Sequence, residues 1–368
     1  MKLPKFIPQF DHLRAFAVLL VMLFHASHHV KAFPMSDWFS FGWVGVDLFF
    51  VLSGFLITRI LLETRRNPNY FLNFYARRVL RIWPLYFALL ALMFLVMPRI
   101  APHWSAEAMK HAHPGWAFIL FVQNLTSGHD LTGPLSVTWS LAIEEQFYLV
   151  WPFIVWLLPE RWIWRFALLM VVLSPAVRII FAAASPSASM YFNTLTRLDG
   201  LALGSLLASW LPQAEPTQLK RVALAVLPVA FAVAIFYPAK WIQFSAIAFV
   251  AGAVVCLSLF LPLRNRFLTY TGRISYGLYL VHSALFGLAT KTELRRFYPS
   301  NPLLNDIAYL LVGTALAYSV ATLSWFAFEK PILRAKAFFG DKPQRKRSHS
   351  FVPSQIGSLE AAAAEIAD

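Results

Sequence analysis

Ten apolar runs divide the chain, at 13–30, 42–62, 82–98, 138–158, 164–184, 194–211, 222–238, 242–262, 273–290 and 303–328. A helix needs about 20 mostly apolar residues to cross the roughly 30 Å hydrocarbon layer of a bilayer, and each run comes close to that length or exceeds it. In lipid every backbone N–H and C=O must be satisfied within the structure itself, so runs of this kind fold as helices. Composition agrees. Of 368 residues 58% are hydrophobic and 14% charged, with mean hydropathy +0.58, whereas about a quarter of a soluble domain is charged. The sequence therefore predicts an all-α, polytopic membrane protein. An eleventh run, 115–125, is too short to cross, and the polar stretch 126–134 follows it.

Loop charge sets the expected topology. The net charge of +14 comes from basic residues placed between the apolar runs, the distribution of cytoplasmic loops and not of a nucleic-acid surface. Arg65, Arg66, Arg77, Arg78 and Arg81 crowd the connection after the second run. Arg161 with Arg165, Lys220 with Arg221, Arg264 with Arg266, and the tail residues Lys336, Arg345, Lys346 and Arg347 supply further basic stretches. All of these fall on one side only if 115–125 does not cross. The expectation is ten transmembrane helices with both termini cytoplasmic, in a membrane domain at 1–338 and a disordered cytoplasmic tail at 339–368. Lys291, Arg295 and Arg296 then lie outside, against the rule. The first run is read as an uncleaved span, since it is long, polar in places and lacks a small-residue cleavage site. Cys256, the one cysteine, excludes an internal disulfide and a cysteine-based metal site, and reads as a small buried hydrophobe.

Charged residues inside such runs carry the functional signal, because a charge at mid-bilayer costs about 2.5–3.5 kcal/mol on insertion scales. Arg14 and His25 lie eleven residues apart in the first run, which at about 100° per residue returns them to within about 20° of one face. Topology puts His25, Asp47, Glu144, Glu145 and Asp199 in the outer half of the membrane, where they are expected to share a polar cavity. Arg14, Arg78, Arg81, Arg273, Tyr276 and Glu329 fall at or near the cytoplasmic ends. Arg78 and Arg81, three residues apart, share a helix face and suit a phosphorylated ligand. Ser53 and His282 lie between the two groups. Six residues separate Tyr276 from His282, so they do not share one face. His28 and His29 read as interfacial residues, and His103, His111 and His113 have no metal-ligand pattern.

Seven segments in order, FDHLRAFAVLLVMLFH, GVDLFFVLSGFLI, ARRVLRIWPLY, TWSLAIEEQFYLVWP, RLDGLALG, ISYGLYLVH and the E-x-P at 329–331, resemble the acyltransferase-3 family of integral membrane acyltransferases. The resemblance covers roughly residues 8–335. It implies transfer of an acyl group, acetyl by preference, from cytoplasmic acyl-CoA to a hydroxyl of an extracytoplasmic acceptor such as a cell-surface or exported glycan, in the inner (plasma) membrane. Arg78 and Arg81 would engage the coenzyme phosphates with Arg14 and Tyr276. Arg14 and His25 would be the essential pair of the first helix, and the family glutamate falls on Glu144. Some relatives carry an extra span and an extracytoplasmic hydrolase-like domain after the core; this sequence ends in a short basic tail instead, so transfer would proceed unaided or with a separate partner.

The leading mechanism makes His25 the general base, with Glu144 or Asp199 orienting it. Asp47, Ser53, Glu145 and His282 are candidates for acceptor binding, and no metal is expected. Direct transfer ranks ahead of an acyl-enzyme on His25 or Ser53. The competing reading is a transporter of an anionic or carbohydrate solute. That fold class predicts repeat symmetry between halves, and the sequence has none. The acceptor and the oligomeric state are not encoded in any motif.

Overall fold

A computed structural model describes residues 4, 7–110, 112–126, 133–184, 190–237, 239–291 and 301–339. The predicted tail beyond residue 339, the loop residues Arg295 and Arg296, and His111 lie outside the described residues. Among the described residues there is no strand. Ten long helices carry the fold: α1 (Pro8–Ser27), α2 (Gly45–Thr64), α3 (Tyr70–Ala91), α4 (Thr138–Leu157), α5 (Glu160–Ala184), α6 (Thr194–Trp210), α7 (Pro216–Phe236), α8 (Lys240–Ser258), α9 (Arg266–Lys291) and α10 (Pro302–Ser324).

Seven helical stretches are long and apolar enough to cross a membrane. Four are α1, α5, α7 and α8, and three are longer runs, Ser36–Thr64, Tyr70–Ile100 and Pro302–Phe339, that contain α2, α3 and α10. The other three long helices are more polar or shorter. Glu144, Glu145 and Gln146 interrupt α4, Arg266, Arg273 and Lys291 lie along α9, and α6 has 17 residues. The run 115–125 yields only a five-residue helix, Gly115–Ile119.

Burial separates the helices into an interior and a periphery. The apolar windows of α1, α8 and Ser36–Thr64 are 61–67% buried, against 17–28% for those of α5, α7, Tyr70–Ile100 and Pro302–Phe339. The peripheral helices turn large apolar side chains outward, among them Leu169, Val172 and Ile180 on α5 and Val229, Phe231 and Phe236 on α7. An exposed apolar belt on this scale marks a lipid-facing surface.

The interior is assembled by close helix pairs, chiefly α2 with α6 and α1 with α9. Small residues make the first contact possible. A Cβ on Gly54 would stand 2.0 Å from the Leu201 carbonyl oxygen, and one on Gly204 2.1 Å from that of Val51. Any side chain at either position would push the two backbones apart. On the α1–α9 contact, Gly272 meets the Asp11 carbonyl in the same way. These two contacts fix α1, α2, α6 and α9 around the centre, where the polar residues of the sequence meet.

Candidate active site

Two cavities open into the helical interior. The first, about 600 Å³, is lined from α1 by Asp11 and Arg14, from α2 by Ser53, from α3 by Arg78 and Arg81, from α4 by Ser140, Glu144 and Tyr148, and from α9 by Arg273, Tyr276 and Tyr279; Lys336 closes it. Five cationic side chains thus face two carboxylates. Asp11 is already paired with Arg14 at 2.9 Å, and Glu144 accepts a hydrogen bond from the Tyr148 hydroxyl at 3.0 Å. That hydroxyl also contacts Ser53 Oγ. Arg81 lies 3.6 Å from Glu329 and between the rings of Tyr276 and Trp325. Arg78 has no carboxylate in ion-pair range among the described residues, and its buried Nε has no hydrogen-bond partner. A partly buried guanidinium in that state can take an anion, and its fork of donors suits phosphate.

Helix geometry explains how Glu329 reaches Arg81. Residues Trp325–Glu329 form a π-helical turn at the end of α10, and such a turn inserts a residue into the helical phase. Glu329 is buried. Tyr276 is held by donation from its hydroxyl to the Ile82 carbonyl, 2.7 Å away on α3.

The second cavity, about 910 Å³, is lined by His25 of α1, by His28 and His29 just after that helix, by Trp43, Trp104 and Trp139, by Tyr191, Phe192 and Phe244, and by Glu107 and Lys240 at its polar edge. The buried indole Nε1 of Trp104 has no hydrogen-bond partner. Val46 and Tyr279 line both cavities. The Tyr279 hydroxyl contacts Ser140 Oγ at 2.5 Å and donates to the Val137 carbonyl at 3.2 Å. The basic cavity and the histidine cavity are therefore separated by the thickness of these side chains. Arg14 and His25, from one helix, contribute to different sides.

Several sequence expectations change here. Asp47 and Asp199 line neither cavity. Arg197 Nη2 donates to both oxygens of Asp47 at 3.0 Å. Asp199 accepts from Arg178 at 3.0 Å and from Ser245 at 2.8 Å. Both pairs are buried, which neutralises each carboxylate where hydrocarbon would otherwise expel it. Glu144 faces the basic cavity and bonds Tyr148, so neither it nor Asp199 orients His25. The expected outer cavity shared by His25, Asp47, Glu144 and Asp199 is not formed. Glu145 accepts from the Trp83 indole at 3.0 Å and lines neither cavity, and Ser53 faces the basic side. His282 is 0% exposed behind His25, with its Nε2 3.2 Å from His25 Nδ1, so it does not line a substrate cavity. Its position fits the face calculation, since Tyr276 and His282 point to different sides of α9.

Residues the sequence reading did not single out complete the site. Arg178 and Arg197 answer the two buried aspartates; a balance of charges within apolar runs was the available signal. Tyr148, one turn after Glu144, and Tyr279, between Tyr276 and His282 in sequence, had no signal of their own in an aromatic-rich chain. Arg65, read as a topology charge, donates to the Trp156 and Leu158 carbonyls at the end of α4. Among the described residues no group of three or more His, Cys, Asp or Glu is placed to hold a metal ion.

The family model for an acyltransferase domain matches residues 7–324, so it takes in both cavities except Trp325 and Lys336. The chain belongs to the acyltransferase-3 family. Among curated relatives it is similar to the peptidoglycan O-acetyltransferase OatA of Listeria monocytogenes, with 29% identity over 363 residues, covering 89% of this chain and 56% of that protein. The O-acetyltransferase OatA of Staphylococcus aureus is 29% identical over 392 residues, covering 97% and 60%. The Bacillus subtilis protein YrhL is 30% identical over 363 residues, covering 89% and 55%. The chain thus spans little more than half the length of these relatives. No solved structure matches it.

Proposed function

We propose that this protein is a membrane O-acyltransferase that moves an acyl group, acetyl by analogy with its relatives, from acyl-CoA in the basic cavity to a hydroxyl held in the histidine cavity. The observation that carries the reading is the junction at Val46 and Tyr279, where a cavity rich in cations meets one presenting His25. Arg78, Arg81, Arg14 and Arg273 would hold the coenzyme phosphates, with Tyr276 beside them, and the thioester would point toward the junction. The acceptor hydroxyl attacks the thioester carbonyl while His25 takes its proton. The C–S bond breaks, the ester forms, and the thiolate leaves and is protonated. The wall of tryptophan, tyrosine and phenylalanine suits the flat apolar faces of sugar rings, consistent with a cell-surface glycan as acceptor. The family assignment leaves the transporter alternative without an observation of its own.

The same reading makes α4, α6 and α9 membrane helices that complete a ten-span bundle in the plasma membrane. Both termini and the basic cavity then face the cytoplasm, where acyl-CoA is available. Their polar residues are spent on the cavities and on ion pairs instead of on lipid.

The test is His25→Ala in purified, inserted protein. Loss of the base should cut acyl-CoA-dependent ester formation by at least the 10²–10⁴-fold typical of general acid–base catalysis. Wild-type turnover from a correctly folded His25→Ala protein would remove this role.

A further inference from the structure

His25 and His282 come from opposite ends of the chain and meet ring to ring, with centroids 4.8 Å apart and planes at 71°. Nε2 of His282 lies 3.2 Å from Nδ1 of His25. Each ring also faces a carbonyl one turn back on its own helix: His282 Nδ1 is 3.0 Å from the Leu278 oxygen, and His25 Nδ1 is 2.9 Å from the Val21 oxygen. A carbonyl only accepts, so each Nδ1 carries a hydrogen. Neutral His282 then has its lone pair on Nε2, aimed at the His25 Nδ1–H. The reverse polarity would turn a His25 lone pair against the Val21 oxygen. The hydrogen on His25 Nδ1 is therefore shared between Val21 and His282, and the free lone pair of His25 is on Nε2. No hydrogen bond engages that atom among the described residues, and the ring forms part of the histidine-cavity wall.

We infer that His282 is the positioning residue for His25, an inference that rests on reading His25 as the general base. It touches neither donor nor acceptor, being sealed among Tyr279, Phe286 and His25. It fixes the tautomer that leaves Nε2 able to take the acceptor proton. It then accepts from the Nδ1–H of the imidazolium formed when that proton arrives. The ionisable neighbours of His25 are His28 and His29, just past the end of its own helix, and His282 with Tyr279 across on α9. No carboxylate bonds either ring among the described residues, so a neutral imidazole does what an aspartate does in a Ser–His–Asp triad.

Substitutions of similar size separate this role from packing. In His282→Gln the side-chain amide reaches the place of Nε2 and offers an oxygen to His25 Nδ1–H. In His282→Asn it reaches only the place of Nδ1, toward Leu278. Steady-state turnover is measured for both, and for His282→Leu, with acetyl-CoA and a soluble glycan acceptor, scaled to the monodisperse fraction. His282→Asn and His282→Leu should lose about 10- to 100-fold in kcat, the equivalent of one hydrogen bond to a charged group. KM for acetyl-CoA should hold, and His282→Gln should regain most of the loss. Equal activity of the Gln and Asn variants, or a defect confined to KM, overturns the inference. If that happens while His25→Ala is inactive, only the role of His282 falls; an active His25→Ala protein removes the reading beneath it.

Discussion

Arg78 lines the basic cavity with no carboxylate in ion-pair range among the described residues. A partly buried guanidinium without an ion-pair partner invites an anion, and the cations Arg14, Arg81, Arg273 and Lys336 line the same cavity. Arg78→Ala should weaken acyl-CoA binding by about 10- to 100-fold, the loss of a charge-assisted phosphate contact. Titration calorimetry in detergent reads it directly, and an unchanged affinity would make Arg78 a topology charge only. Asp47 and Arg197 make the opposite case. Their charges are spent on each other, inside a cage of Phe50, Trp139, Tyr191 and Phe244 around the guanidinium. Asp47→Asn should destabilise by about 3–5 kcal/mol, because a buried guanidinium is left uncompensated. Asp47→Leu combined with Arg197→Met should recover much of that, as thermal unfolding of the solubilised protein would reveal. The sequence made both aspartates visible as misplaced charges. It could not say that each had an arginine opposite, since partner choice depends on the register between α2, α5, α6 and α8.

At the scale of elements, helices α2 and α6 touch through Gly54 and Gly204 with no room for a Cβ. Gly204→Val should separate them, with a loss at least of the 1–3 kcal/mol typical of an overpacked core. It should also lower activity, because α2 carries Ser53 and Val46 to the cavities. Unfolding temperature and turnover falling together would support this; a stable, fully active variant would contradict it. Most helices were legible, because run length reports the thickness to be crossed. The boundaries that shifted are instructive. The third run begins at Ile82 by hydropathy, yet α3 starts at Tyr70, since Arg77, Arg78 and Arg81 are helical while facing a cavity and the basic end. The E-x-P motif was legible as residues but not as the π-helical turn that follows α10 and ends at Glu329, because no residue type in it announces a change of helical phase. His282 was read as a polar residue between two sites, and its pairing with His25 follows from the α1–α9 contact, over 250 residues distant in sequence.

For the whole molecule, two cavities of different character share one thin partition, and the chemistry assigned to each depends on which side it faces. Seven helical stretches satisfy the length and apolarity of a span, whereas α4 and α9 bring polar residues to the cavities and α6 spends its own on buried ion pairs. A vectorial enzyme would divide its helices in this way. Proteoliposomes loaded with a peptidoglycan fragment and given labelled acetyl-CoA only outside test this most directly. Molecules with the basic cavity outward should form labelled ester on the trapped fragment; His25→Ala should remove nearly all of the signal, and Arg78→Ala should reduce it at limiting acetyl-CoA. Ester formed only when donor and acceptor occupy the same compartment would contradict transfer across the Val46–Tyr279 partition.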